Sequence, residues 1–404
     1  MKRLVLILCC IAYCTFSYSQ NEDAQAIWSK YSELEKATSK AFADKDYEQA
    51  KKTVLESLKL FEGLTPEAKQ KYKQGLSGNY YNLTCAYSLL KNKKAAIESF
   101  ENAVEYGYTN YSHANKDTDL DYIRKDKKFI ALMEKVRLAG DYIYILKQAG
   151  KYQVDNTSDK PEFKYEYITN QRIQDVKKYF KLDSIAGNGD EISKIKNIML
   201  WVHNTIPHDG GNWPLCELDA IDIYNYSKAN NNKGVNCRAL AIVLNECYLS
   251  MGFKSRFITC MPKDENDGDC HVINSVYSTT LKKWLWMDPS FNAYVTDENG
   301  NLLSIAEVRE RQINDLPLVL NKDANWNNKN PQTKEWYLDN YMAKNLYWLQ
   351  CPALSYFNIE TRYRSAKPKY VSLMPVGYER EQKWLDNYTT NDADYFWQVP
   401  DFSE

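Results

Sequence analysis

Residues 234–288 decide the fold, and they read GVNCRALAIVLNECYLSMGFKSRFITCMPKDENDGDCHVINSVYSTTLKKWLWMD. Asn236 is a strong N-cap residue, and the run that follows it is apolar on nearly all sides up to Met251. Gly252 then offers a left-handed helix stop. The stretch therefore predicts a buried central helix whose first residue is Cys237.

Cys237 lies where a helix favours negative charge. The dipole and the unpaired N–H groups of the first turn stabilise a thiolate, and a nearby imidazolium lowers a cysteine pKa from about 8.5 towards roughly 4–7. The same N–H groups can hold an oxyanion. Packing is the alternative role, because free cysteine is among the most buried residue types. Cys247, near the end of the same helix, is interpreted as a core residue.

The segments HVINSVYS and KKWLWMD both alternate apolar and polar residues, which predicts an antiparallel hairpin. If its turn is centred between Thr279 and Thr280, His271 faces Asp288 directly. Opposed residues have Cβ atoms about 4.5–5.5 Å apart, close enough for a carboxylate to orient an imidazole. Cys237, His271 and Asp288 are therefore the candidate catalytic residues.

These residues resemble the transglutaminase-like superfamily, whose papain-like core carries cysteine, histidine and aspartate in this chain order, on a helix start and two successive strands. The motifs GVNCRALA, MGFKSRFI, CHVINSVYS and WLWMDPS carry the resemblance, which covers roughly residues 191–320. It implies that Cys237 is the nucleophile, His271 the general base and acid, and Asp288 the residue that orients His271. Arg238 replaces the tryptophan that follows the cysteine in animal cross-linking enzymes, which favours hydrolysis over cross-linking.

The loop before the central helix is rich in Gly, Asn, Asp and Pro, as is typical of the wall of a substrate groove. Trp213 is a candidate for a substrate-facing indole or an oxyanion donor, and His208 is a candidate for lining the cleft. Asn236 is a further candidate contact. The alternative for a loop tryptophan is a packing role.

The chain is expected to be α+β, with helices preceding the core. Residues 20–145 have helical periodicity, and the segments 46–61 and 92–107 look alike. The second of these and the helix before it resemble a tetratricopeptide repeat, which has small and aromatic residues at set positions, here Asn82, Ala86, Tyr87, Ala96, Phe100 and Ala103. A docking groove for a peptide or protein and a purely structural cap both remain open.

The rest of the chain is divided into a linker at 146–162, a catalytic core at 163–330 with its central helix on an antiparallel sheet, and an aromatic-rich extension at 331–404 that packs on the core. Within the extension we expect a helix from Thr333 to Gln350. Extended runs are expected at 369–373 and 395–399.

The first residues predict export. Lys2 and Arg3 precede an apolar run, and small residues follow near Ser19, which is the pattern of a signal peptide over residues 1–19. Cleavage there would release a periplasmic or extracellular protein. A lipid anchor on Cys14 is the weaker alternative, because bulky Tyr13 precedes it. No later apolar run reaches about 18 residues, so no transmembrane segment is expected.

Composition and spacing argue against several classes of function. With 52 basic and 53 acidic side chains the chain has no electrostatic footprint for nucleic acid. It has no CxxC pair and no HxxxH spacing, so we expect no metal and no cofactor. Seven cysteines follow residue 19, and their pairing is not determined by the sequence.

The leading hypothesis is an exported thiol enzyme that attacks an amide bond of a peptide or protein substrate through a thioester on Cys237, with water completing a hydrolysis. An amine-accepting transglutaminase is one alternative. The other is a non-catalytic scaffold that binds a protein partner through its helical repeats and carries a vestigial triad.

Overall fold

The structure is a computed structural model that describes residues 29–65, 69–70, 72–154, 159–362, 368–381 and 387–402. The expected signal peptide lies outside the described residues. The chain divides into two compact units, one ending at Asp141 and the other beginning at Tyr142. Within the described ranges, no helix has both the length and the apolar character needed to cross a membrane.

The described part of the first unit is helical, as the sequence predicts. Side chains of Asp46, Asn92, Asn110 and Asp126 cap four of its helices. Small residues, among them Ala86 and Ala96, are fully buried where two neighbouring helices pack. The helices span residues 29–43, Tyr47–Lys59, Lys73–Leu89, Lys93–Glu105, Tyr111–Lys116 and Lys127–Gly140, with a 3₁₀ turn at Thr118–Leu120.

A six-stranded sheet forms the centre of the second unit. Its strands are β1 (Ser255–Met261), β2 (His271–Ser278), β3 (Lys283–Met287), β4 (Trp348–Pro352), β5 (Tyr370–Leu373) and β6 (Asn387–Thr390). They are ordered β6-β5-β4-β1-β2-β3, and all neighbours are antiparallel except β5 and β6. The C-terminal extension therefore supplies half of the sheet rather than only packing on it.

The sheet is accompanied by helices and by three two-stranded pairs. The helices are Tyr142–Lys147, Gln171–Phe180, Leu182–Ala186, Glu191–Thr205, Ala220–Ala229, Cys237–Ser250, Ile305–Ile313, Lys334–Trp336, Ala343–Asn345, Ile359–Arg362 and Ala393–Phe396, with a π-helix at Tyr337–Met342. The pairs join Lys164–Tyr165 to Leu354–Ser355, Val295–Thr296 to Val319–Leu320, and Asn325–Trp326 to Asn330–Pro331.

The cysteine helix, Cys237–Ser250, lies at the core as expected. Its residues from Ala239 onward are buried, and it packs against β1 and β2. Gly252 follows it with a φ of +84°, the left-handed conformation that ends a helix at little steric cost. This central helix on an antiparallel sheet positions Cys237 at the edge of the core.

The C-terminal extension differs from the expectation in two places. The helix expected to run to Gln350 ends at Asn345, and Trp348–Pro352 forms β4 between β1 and β5. This segment is buried throughout, so pairing with two distant strands outweighs its local preference. The run expected to be extended from Tyr395 contains the end of a helix, because the Asp392 side chain accepts from the Tyr395 N–H and caps it.

The boundary between the units falls at Asp141, a few residues before the expected end of the helical region. Tyr142–Lys147, which straddles the expected start of the linker, is helical. Leu146 is buried within the core of the second unit.

Candidate functional site

The thiol of Cys237 lies at the first position of its helix. The Asn236 side chain accepts from the Ala239 N–H at 3.0 Å, so it caps the helix. That oxygen is thereby engaged, whereas the sequence offered Asn236 as a candidate substrate contact. Cys237 is only partly buried, whereas the helix is buried from Ala239 to Ser250.

The two other candidate catalytic residues are in direct contact. His271 begins β2 and Asp288 follows the end of β3, and both side chains are fully buried. The Nε2–H of His271 donates to Oδ2 of Asp288 at 2.7 Å. The predicted pairing of imidazole and carboxylate is therefore present.

The predicted hairpin register is wrong by two residues. Ser278 faces Lys283 and Asn274 faces Met287, so the turn is centred one residue later than expected and His271 does not face Asp288 directly. Because the shift is even, both side chains stay on the same face of the sheet. His271 reaches Asp288 along the diagonal, a distance that long side chains span.

Glu191 explains why the turn of the hairpin is centred one residue later than expected. Its carboxylate accepts from the Thr279 N–H and hydroxyl and from the Thr280 N–H, and the Ser278 hydroxyl also donates to it. Lys282 adopts a φ of +53°, which closes the loop. A carboxylate 88 residues away from Thr279 thus selects the register, which the hairpin sequence by itself does not encode.

Asp288 is held by three donors. Besides His271, the Tyr337 hydroxyl donates to Oδ2 at 2.6 Å and the Ser290 N–H donates to Oδ1 at 2.8 Å. Burial raises the pKa of Asp288, but the charge and hydrogen bond of His271 outweigh burial and lower it below its usual value. Tyr337 was missed from the sequence, where nothing distinguishes it from the other aromatic residues of the extension.

The thiol and the imidazole ionise as a pair. Burial raises the pKa of Cys237, but interaction with His208 and His271 outweighs burial and lowers it to about 6. Burial lowers the pKa of His271, but Asp288 and then Cys237 outweigh burial and raise it to about 10. Because Nε2 of His271 is bonded to Asp288, Nδ1 is left for the interaction with the thiol, and it has no hydrogen-bond partner among the described residues. Thiolate and imidazolium therefore coexist at neutral pH.

Cys237 differs from every other cysteine that the structure describes. All seven are free thiols. Burial raises the pKa of each of the other six, Cys270 among them. The pKa rises to about 11 for Cys216 and Cys351. It rises well above the usual pKa for Cys85, Cys247 and Cys260. Among the described cysteines, Cys237 is thus the one whose pKa is lowered.

His208 also lies at the thiol. Its Nδ1 accepts from the Trp326 indole N–H at 2.9 Å, and its buried Nε2 has no partner among the described residues. The sequence offered His208, with Trp213 and Asn236, as a candidate for substrate or oxyanion binding, and it gave no signal for Trp326. Trp213 remains 47 % exposed, so its predicted role in substrate binding stays a prediction.

Aromatic rings surround the imidazole of His271. Phe291 and Tyr341 lie with ring centroids 5.5 and 5.2 Å from it. Trp336 stacks on Tyr341 at 5.3 Å and is 47 % exposed. These rings keep water from the imidazole and present one indole to solvent.

A group of three residues in the first unit, Cys85, Asp117 and Asp119, has the spacing to hold a metal ion. Its central carboxylate already has partners, since Asp117 accepts from the Tyr81 hydroxyl at 2.6 Å and from the Asp119 N–H at 3.0 Å. The group is therefore a hydrogen-bonded part of the helical unit.

Comparisons with known proteins match parts of the chain. A chloroplastic protein from Arabidopsis thaliana is 34 % identical over 55 residues, which is 14 % of this chain and 16 % of that protein. The chain thus matches only a small part of that relative. No solved structure matches the chain significantly. The family model described as the transglutaminase-like superfamily matches residues 179–289, a span that includes Cys237, His271 and Asp288, and with the α+β architecture it supports placing this domain in that superfamily.

Proposed function

We propose that this protein is a thiol-dependent acyl-transfer enzyme that hydrolyses an amide bond of a peptide or protein through a thioester on Cys237. One observation carries the proposal. Cys237, a partly buried residue at a helix start, interacts with the imidazole of His271, whose Nε2–H is bonded to a buried carboxylate. This is the arrangement that nucleophilic cysteine catalysis requires.

The reaction begins from the thiolate and imidazolium. The Cys237 sulfur attacks the carbonyl carbon, the C–S bond forms, and the carbonyl π electrons move to the oxygen. His271 then donates its Nδ1 proton to the amine nitrogen as the C–N bond breaks. In the second half, Nδ1 accepts a proton from water, water's oxygen attacks the thioester, and the C–S bond breaks to regenerate the thiolate.

Hydrolysis is favoured over cross-linking by the residue after the thiol. Arg238 replaces the tryptophan found there in animal cross-linking enzymes. Its guanidinium is held by Glu360 at 2.7 Å and by the Thr259 hydroxyl at 2.9 Å. An amine-accepting transglutaminase is the second candidate, and release of the acyl group to added amines would identify it.

The location and the partner are part of the same proposal. Residues 1–19 would direct export to the periplasm or the outside of the cell. The helical first unit, with its resemblance to tetratricopeptide repeats, would dock a peptide or a protein partner. Burial of Ala86, Ala96, Phe100 and Ala103 between packed helices supports that resemblance.

Selective labelling of Cys237 tests the enzymatic function. Iodoacetamide at about pH 7, between the two pKa values of the pair, should label Cys237 faster than the other thiols. His271→Ala should slow that labelling, whereas Cys270→Ser, which removes the thiol next to His271 in sequence, should not. Peptide mapping by mass spectrometry measures both. Equal labelling of all accessible thiols would refute the proposal.

Trapping then identifies the substrate. Cys237 should retain an acyl group from a crude extract when the thioester is quenched with acid, and Cys237→Ala should retain none. If Cys237→Ala instead keeps a protein partner and the wild-type protein turns over no peptide in a library, a non-catalytic scaffold with a vestigial triad would be the better description.

A further inference from the structure

We propose that His208 is a further catalytic residue of this site, a neutral imidazole whose Nε2–H donates to the oxyanion formed when Cys237 attacks its substrate. The inference rests on the proposed acyl-transfer function and extends it. It follows from the hydrogen bonds that hold the His208 ring and backbone, and from the buried nitrogen that they leave facing the thiol.

The partner of Nδ1 determines the protonation of the ring. An indole N–H is only a donor, so Nδ1 of His208, at 2.9 Å from the Trp326 nitrogen, must offer its lone pair. The single proton of the neutral ring is therefore on Nε2.

The two histidines consequently present opposite tautomers to the thiol. His271 uses Nε2–H for Asp288, which leaves Nδ1 to exchange a proton with Cys237 and the leaving group. His208 uses Nδ1 for Trp326, which leaves a buried Nε2–H that has no hydrogen-bond partner in the described part of the chain. One ring is thus arranged to transfer protons and the other only to donate a hydrogen bond.

The backbone of His208 is fixed from one side by Asn327. The His208 N–H donates to the Asn327 side-chain oxygen at 2.7 Å, and the Asn327 side-chain nitrogen donates to the His208 carbonyl at 2.9 Å. Trp326 and Asn327 are adjacent, so one short segment holds both the ring and the backbone. Such preorganisation is what an oxyanion donor needs, because no reorientation is then required during the reaction.

The other side of His208 is joined to the start of the cysteine helix. His208 forms a parallel bridge with Val235, two residues before Cys237. The Asp209 N–H donates to the Val235 carbonyl at 2.8 Å, and the Val235 N–H donates to the Pro207 carbonyl at 2.9 Å. The distance between the His208 loop and the thiol is therefore set by direct backbone pairing.

Gly234 makes this close approach possible. A Cβ at this position would lie 2.8 Å from the Asp209 Cβ and 3.0 Å from the Pro207 carbonyl oxygen. A side chain there would push the His208 loop away from the helix start. The absence of a side chain at 234 therefore contributes to the position of the imidazole.

The chemistry needs a donor at this place. As the sulfur attacks, the carbonyl π pair moves onto oxygen, and the new negative charge needs N–H groups near it. The Cys237 backbone N–H, in the first turn of its helix, has no intrahelical acceptor and supplies one donor. The Nε2–H of His208 supplies the second. When the C–N bond breaks, the charge returns to the carbonyl and both donors are released.

Two reagents separate this role from mere activation of the thiol. Iodoacetamide alkylates a thiolate by displacing iodide and forms no oxyanion, whereas p-nitrophenyl acetate acylates it through a tetrahedral oxyanion. Both rates are measured with the full-length protein at a pH where the alkylation rate has reached its plateau. His208→Ala should lower the acylation rate by about 100-fold or more and change the alkylation rate by less than about 3-fold.

Two further variants keep the test decisive. His208→Gln restores an N–H donor and should recover part of the acylation rate. Trp326→Phe keeps the imidazole of His208 but removes the indole N–H that orients it, so acylation should fall while alkylation changes by less than about 3-fold. Equal losses of alkylation and acylation, or no loss in either His208→Ala or Trp326→Phe, would overturn the inference. Wild-type protein that neither reagent labels at Cys237 would overturn the proposed function as well.

Discussion

His271 and Asp288 share a 2.7 Å hydrogen bond although they do not face each other in the hairpin. The turn anchored by Glu191 shifts the pairing by two residues, and the even shift keeps both side chains on one face. The contact between imidazole and carboxylate is therefore diagonal, and Tyr337 and Ser290 hold the carboxylate in place for it.

Asp288→Asn should disable catalysis while keeping the shape of the site. Without the negative charge, the pKa of His271 should fall from about 10 and that of Cys237 should rise from about 6. Turnover should drop by roughly 10³–10⁴-fold, as expected when an orienting carboxylate is neutralised. The pH profile of Cys237 alkylation measures the change. An unchanged profile would show that Asp288 does not act through His271.

The rate of hydrolysis should be bell-shaped in pH. Below about pH 6 Cys237 gains a proton and loses its nucleophilicity, and above about pH 10 His271 loses the proton that it gives to the leaving amine. The two apparent pKa values of the profile describe the Cys237–His271 pair rather than either residue alone. In His271→Ala the acid limb should move upward, because the thiol loses one of its two histidine partners. Plots of kcat/KM against pH give both limbs, and a limb that stays near pH 6 would contradict the pairing.

Tyr337→Phe should weaken the site without removing an aromatic ring. The variant lacks the hydroxyl that donates to Asp288 at 2.6 Å. Hydrogen bonds to charged groups contribute about 1.5–3 kcal/mol, and the free energy of unfolding should fall by about that amount. Urea denaturation measures it, with Tyr347→Phe in the same aromatic run as the control. Equal decreases in the free energy of unfolding of the two variants would show that the hydrogen bond from Tyr337 to Asp288 adds no stability beyond that of any hydroxyl in this run.

Glu191→Gln should loosen the hairpin turn. Burial raises the pKa of Glu191, but hydrogen bonds from Ser278, Thr279 and Thr280 outweigh burial and lower it to about 2 from its usual 4.5. A carboxyl group whose pKa is lower in the folded than in the unfolded state stabilises the fold at any pH above its unfolded-state pKa. That stabilisation is lost as the pH falls through the folded-state pKa. The variant should be less stable by about 1 kcal/mol at neutral pH. This figure is small because the carboxylate is partly exposed and solvent screens its interactions.

The stability difference between Glu191→Gln and the wild-type protein should close as the pH falls from about 4.5 to about 2. Urea denaturation across this range measures it. A difference that stays constant with pH would mean that the Glu191 charge does not hold the turn.

Gly234→Ala should displace the His208 loop. The added methyl group meets Asp209 and Pro207 at 3.0 Å or less, so the bridge to Val235 must open. Overpacking of this kind costs about 1–3 kcal/mol of stability. Acylation of Cys237 should fall more than its alkylation. Gly268→Ala is the matched control, since a Cβ at 268 meets nothing within 4 Å. Equal effects of the two substitutions would contradict the role of Gly234.

Local signals predicted the parts of the site that lie within a few residues of one another. The Asn236 cap, the helix start at Cys237 and the stop at Gly252 are each written in neighbouring residues. The alternation of the two hairpin segments predicted strands and gave His271 and Asp288 the same face. These features depend on backbone hydrogen bonds and on side-chain periodicity, which short stretches of sequence encode.

The sequence by itself determined the buried helix with a thiol at its start and the order of cysteine, histidine and aspartate. Only the tertiary structure decided the hairpin register through Glu191, the third donor to Asp288 through Tyr337, the tautomer of His208 through Trp326, and the central place of β4. Each of these contacts joins residues far apart in the chain. Their energy is realised only after the intervening segments have packed, so no local pattern records them.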